Sequence, residues 1–201
     1  MTILNVSLSL ERALVTMDTR IQNTVTGGHY YSSKMFPIVH ANILIACRGE
    51  RIFGELAFQW YLSCEACDFD SIARSLSQDV LTVAERYASL PGIHVGGNEL
   101  VIVGWSDKER SMQGINCTRP DKDSQFSITR MDTGQIAPEL TADLRHVTCA
   151  NQVDYLVTIA RAQTRQVRAE QPDFPIGGRL ILADMTRDRM EIRPIADLDA
   201  A

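Results

Sequence analysis

Long apolar runs are absent from this sequence. Its most hydrophobic stretches, Ile43-Leu44-Ile45-Ala46-Cys47 and Leu100-Val101-Ile102-Val103, are strand length. Both fall well short of the ~18 residues that span a bilayer. No basic segment leading into an apolar one opens the chain, which predicts no signal peptide and a cytoplasmic location. Excess positive charge is also lacking. The net charge of −5 argues against a nucleic-acid or anionic-membrane partner, either of which favours a basic face. Cysteine is sparse, and its count of five is odd, which predicts reduced thiols. Cys64-Glu65-Ala66-Cys67 has no second cysteine pair or spaced histidine pair to complete a zinc site. His29, His40, His94 and His146 show no HxxxH or HExxH spacing, and Gly27-Gly28 and Gly96-Gly97 form no phosphate loop. No metal and no cofactor are expected.

A hydrophobic fraction of 45% and a charged fraction of 22% over 201 residues fit one globular domain, residues 1–201. Leu4, Val6, Leu8 and Leu10 alternate with Asn5, Ser7 and Ser9, the pattern of a half-buried strand. Ala13 to Met17 returns as a second strand ending at Asp18. Residues Thr19 to His29 read as a loop, and Tyr31–Ile38 with Ile43–Cys47 as a strand pair. The period then becomes helical, through Ile52, Leu56 and Trp60, and again through Ile72, Leu76, Val80 and Val83. Asp68 and Asp70 are both candidate N-caps for the second of these helices. Strands are expected at Glu99–Gly104, Met112–Cys117 and Phe126–Thr129, a helix from Asn151 to Ala169, and a closing hairpin after Gly177-Gly178. The tail from Ala196 to Ala201 is expected to fray. Runs of strands separated by helices predict an α+β fold, a four-layer αββα sandwich.

Thr2, Asp18 and Lys34 stand out by their offsets, Asp18 lying 16 and Lys34 32 positions after Thr2. Taken singly they are a first strand residue, a turn carboxylate and a surface amine. Taken together they supply the parts of an N-terminal-nucleophile hydrolase. With Met1 removed, Thr2 carries a free α-amine beside its hydroxyl. Such an amine titrates near pH ~8 and can accept the hydroxyl proton at neutral pH.

With these residues in view, the chain resembles the proteasome β-type subunits, including the bacterial proteasome-like peptidases. The resemblance runs from Thr2 to about Ile192. Its markers are Thr2-Ile3-Leu4, Asp18-Thr19-Arg20, Lys34-Met35-Phe36-Pro37-Ile38, Ile43 to Gly49, Val101 to Trp105, and Asp173 to Gly178. It implies an N-terminal threonine peptidase in which Thr2 is the nucleophile and Lys34 favours the neutral amine and the developing alkoxide. Asp18 would hold Lys34 charged, the Gly49 amide would bind the oxyanion, and Asp173 would support the Thr2 amine. Ile21, Ser32, Phe36 and Arg48 would line the pocket for the side chain before the cleaved bond, Arg48 favouring acidic or polar groups. The implied assembly is a homo-oligomer, as rings around a chamber, taking peptides or unfolded chains and served by a separate ATPase.

The sequence departs from the pattern in three places. Ile176 stands where the family has a serine, Thr133-Gly134 is the nearest counterpart of a second family serine in a glycine-rich turn, and the loop at Gly49 differs in length by about one residue. The oxyanion donor could therefore be the amide of Arg48 or Glu50. These departures keep a second reading open, a catalytically inactive structural or scaffold subunit. Hydrolysis of a small-molecule amide on the same fold is a third.

Overall fold

The computed structural model describes residues 2–23, 26–64, 68–90, 97–121, 123–141 and 148–200. Its strands are β1 (Leu4–Leu8), β2 (Arg12–Asp18), β3 (Arg20–Gln22), β4 (His29–Tyr31), β5 (Met35–Ile38) and β6 (Ile43–Gly49). Helices α1 (Arg51–Leu62) and α2 (Phe69–Ala88) follow. Then come β7 (Asn98–Ser106), β8 (Ser111–Arg119), β9 (Ser127–Met131) and β10 (Gly134–Ala137). Helix α3 (Gln152–Glu170) leads to the closing hairpin of β11 (Arg179–Thr186) and β12 (Arg189–Asp197).

Two five-stranded sheets, ordered β10-β1-β2-β11-β12 and β5-β6-β7-β8-β9, bury one face of each against the other. Leu4, Val6, Val15 and Met17 meet Leu44, Ala46, Val101 and Val103 there. The strands are covered on their other faces too. Ile43, Ile45 and Ile102 pack beneath Phe53 and Tyr61 of α1 and Leu76 and Val80 of α2. On the opposite side, Leu14 and Leu182 pack with Leu156, and Ile3 and Leu180 with Ala160 and Val167, all from α3. Burial on both faces explains why β6 and β7 read as continuous apolar runs instead of alternating.

The expected four-layer αββα sandwich is corrected. The described residues form three helices and twelve strands in three antiparallel sheets, a mostly β architecture. One flank carries two helices and the other only α3. In the third sheet, β3 forms within the segment expected to be a loop and β4 runs from its last residue, His29, to Tyr31, and β10 falls in another polar stretch. Backbone N–H and C=O groups pair whatever side chains they carry, so short polar strands leave no hydrophobic period to read.

Two local expectations also change. Asp68 caps α2, accepting from the Ser71 N–H at 2.7 Å, while Asp70 accepts from Ser106 Oγ and the Lys108 N–H. The tail does not fray through residues 196–200. Strand β12 runs to Asp197, Leu198 is fully buried beside Ile3, and Asp199 pairs with two arginines. Ala201 lies outside the described residues. No described helix is long and apolar enough to cross a membrane.

Asn5, expected on a solvated face, is fully buried under α3. Its amide and that of Gln163 exchange two hydrogen bonds, at 2.9 and 3.0 Å, and Gln163 also donates to the Pro138 carbonyl. Replacing Gln163 with Leu strips partners from the Asn5 amide and the Pro138 carbonyl while they stay buried. The expected loss is about 1–3 kcal/mol in denaturant unfolding. An unchanged midpoint would refute this account of how α3 is seated.

Candidate active site

Strands β1 and β2 bring Thr2 and Asp18 to one end of their sheet. The register pairs Leu4 with Met17, which places Ile3 opposite Asp18. The Ile3 N–H donates to Asp18 Oδ1 at 3.0 Å, and the Gly177 N–H donates to Oδ2 at 3.3 Å. Lys34 arrives from the facing sheet, one residue before β5. Its backbone carbonyl accepts from the Cys47 N–H of β6 at 3.0 Å. Lys34 Nζ donates to Asp18 Oδ1 at 2.9 Å and to Thr2 Oγ1 at 3.1 Å. The Asp18 side chain is fully buried and that of Lys34 is 6% exposed, so water screens the pair little.

Burial pushes the Asp18 carboxyl above the usual carboxylate range, against the pull of Lys34 and of the two backbone N–H groups. Burial also pulls Lys34 below the usual ammonium range, against the opposing pull of Asp18 and Cys47. One cause therefore acts on both partners, because removing water penalises either charge. The neighbouring Cys47 thiol is fully buried and pushed up to about 12 by the same desolvation. It is a neutral packing group, not a nucleophile.

The other candidate residues are placed differently. Gly49 ends β6 with φ of +98°, and a Cβ there would lie 2.3 Å from the Gly97 carbonyl oxygen. The Glu50 N–H donates to Asn98 Oδ1 at 3.4 Å, so of the three candidate oxyanion donors this amide already has a partner. Asp173 is exposed on the turn after α3. Among the described residues it makes no hydrogen bond to Thr2, Asp18 or Lys34. The same turn directs Ile176 inward, fully buried beside Ile3 and Leu180.

Arg48 is committed to Glu99, 2.8 Å away, and Glu99 also accepts from Asn116 and Gln135. The guanidinium borders two cavities, of about 360 and 530 Å³, but its charge is already balanced. Its expected preference for acidic groups loses its basis. Phe36 points into the core shared with α1, 5.9 Å from the Phe58 ring. Ile21 is half-buried on β3 and pairs with Tyr30, and the Ser32 N–H donates to the Thr19 carbonyl.

Sequence reasoning missed the Ile3 and Gly177 amides, because a backbone donor leaves no mark on residue type. Gly177-Gly178 was legible as the opening of a hairpin and as part of a motif, and neither reading assigns its amide to Asp18. Among the described residues, no cluster of three or more His, Cys, Asp or Glu side chains could hold a metal ion. Of the Cys64–Cys67 pair, Cys67 lies outside the described residues, as do His94 and His146.

Compared with known proteins, the sequence matches no protein family and no curated protein. Its structure is similar to Anbu from Hyphomicrobium sp. strain MC1, with a TM-score of 0.65 and 10% identity, over 98% of this chain and 88% of that one. It is also similar to a Gly-1 mutant of Anbu from the same organism, with a TM-score of 0.63 and 11% identity, over 96% and 87% of the two chains. At that identity the likeness shows a shared fold alone. The expectation of a proteasome β-type subunit is therefore corrected. The two similar structures just named are both of Anbu, no family model matches, and the architecture is mostly β.

Proposed function

We propose that this chain is a threonine-type N-terminal-nucleophile hydrolase that cleaves peptide bonds once Met1 is removed. The observation that carries this reading is the buried bridge of Lys34 Nζ between Thr2 Oγ1 and Asp18 Oδ1. Neither side chain of the Lys34–Asp18 pair is free to serve the surface, and the other partner of the ammonium is a hydroxyl.

In this reading the Thr2 hydroxyl attacks the peptide carbonyl carbon and its proton passes to the Thr2 α-amine. The carbonyl π pair moves to oxygen, giving a tetrahedral oxyanion for which Gly49 is the candidate donor. Collapse breaks the C–N bond, and the leaving amine takes the proton back. The product is an ester on Thr2. Water then attacks that ester through the same sequence and frees the hydroxyl. The Lys34 ammonium lowers the energy of the alkoxide at 3.1 Å and disfavours a second positive charge on the amine. The substrate would be a peptide or an unfolded chain, and the assembly a homo-oligomer, which light scattering would report.

Intact mass followed by epoxyketone treatment tests the reading, because that warhead needs both the Thr hydroxyl and its amine. The expected result is a chain lacking Met1, an adduct on Thr2, and peptide hydrolysis that disappears in Thr2→Ala. Trimmed protein that forms no adduct would end the proposal.

A second reading, a silent scaffold, draws on the exposure of Asp173 and the apolar burial of Ile176. Neither supports the Thr2 amine. It expects uniform retention of Met1 and assembly without hydrolysis.

A further inference from the structure

Near the other end of the chain, Asp199 sits directly against the loop that touches Asp18. Its Oδ1 accepts from Arg168 Nη2 at 2.5 Å and its Oδ2 from Arg20 Nη2 at 2.8 Å. Arg168 comes from the last turn of α3, and Arg20 follows Asp18 by two residues. The Asp199 carboxylate and the Arg168 guanidinium close over Gly177, and Arg20 holds the far oxygen of that carboxylate. A Cβ on Gly177 would lie 2.4 Å from Asp199 Oδ1 and 2.6 Å from Arg168 Nη2. A side chain at Gly177 would have to push both clamp groups aside, and at φ of +129° it would also be strained.

That peptide is tied on every side. The Gly177 N–H donates to Asp18, and its carbonyl accepts from the Arg20 N–H at 3.2 Å. Arg168 Nη2 also donates to the Ile176 carbonyl at 3.3 Å. The Leu198 N–H donates to the Gly178 carbonyl at 2.8 Å, and the buried Leu198 side chain anchors this C-terminal stretch beside Ile3. Arg20 Nη2 further donates to Tyr31 Oη, which braces it against β4. One carboxylate shared by two guanidiniums makes charge-assisted bonds on both oxygens.

We propose that Asp199 is a positioning residue for the Thr2 site, holding the Gly177 amide on Asp18 through Arg168 and Arg20. This inference rests on the threonine-hydrolase reading for its consequence, but not for its geometry. The clamp fixes one of the two backbone donors to Asp18, and Asp18 orients the ammonium that contacts Thr2. Loosening it leaves Thr2, Lys34 and the substrate pocket in place while the Asp18–Lys34 pair loses its registration. Turnover suffers and substrate binding does not.

The test uses the full chain and two readouts, steady-state peptide hydrolysis and amide hydrogen exchange at Gly177. In Asp199→Asn, which keeps shape and removes charge, kcat should fall about tenfold or more with KM within about twofold. Exchange at Gly177 should accelerate by at least about tenfold. If that variant does not fold, Arg20→Gln is read on the same two measurements. Unchanged exchange at Gly177 overturns the clamp, whatever happens to kcat. Faster exchange with unchanged kcat overturns its positioning role. A wild-type chain without hydrolytic activity overturns the threonine-hydrolase reading instead, and exchange at Gly177 still reports on the clamp.

Discussion

Lys34→Met is expected to cost about 3–5 kcal/mol of folding stability and to lower peptide hydrolysis about a thousandfold. The stability loss follows from what remains. Asp18 stays fully buried with two backbone donors, but its counter-ion is gone. Methionine fills much of the lysine's volume, so the loss reports the stranded carboxylate and not a cavity. The catalytic loss follows from the 3.1 Å contact with Thr2 Oγ1, where the alkoxide develops in the proposed reaction. Adding Asp18→Asn to Lys34→Met should recover part of the stability and none of the activity. Denaturant unfolding and peptide turnover, measured on the same preparations, separate the two effects. A single variant within about 1 kcal/mol of the parent would mean that the pair is not the buried unit described here.

Gly49→Ala carries the second large effect. At φ of +98° an L side chain is strained, and the added Cβ would lie 2.3 Å from the Gly97 carbonyl oxygen and 3.4 Å from Asn98 Cα. These are backbone atoms of the stretch that enters β7, which is laddered to β6 from Ile43 to Gly49. Neither side can swing aside as a flexible side chain would. The expected cost is about 2–4 kcal/mol, from strain together with forced separation of two paired strands. Because Gly49 is the candidate oxyanion donor, a shift of about 1 Å should also lower kcat about a hundredfold. An alanine variant with parental stability and turnover would remove Gly49 from the site.

The core strands could be read from the chain because their apolar residues leave a period or an unbroken run. Ile43 to Cys47 and Leu100 to Val103 are strands for that reason, and the stripes of α1, α2 and α3 are legible in the same way. The small sheet β3–β4 and strand β10 were not, since Arg20, Gln22, His29 and Gln135 carry no apolar pattern. The tail was misread because Leu198 is a single large apolar residue between two aspartates, yet it plugs the core beside Ile3.

For the site, residue type and spacing were enough to single out Thr2, Asp18 and Lys34, because side-chain chemistry is written in the residue name. Their convergence, the two amides on Asp18, the outward turn of Asp173 and the pairing of Arg48 with Glu99 came from folding. Each depends on contacts between segments far apart in the chain, and on how much water those contacts exclude. No local pattern encodes either quantity, which is why the chemistry was visible before folding and its arrangement was not.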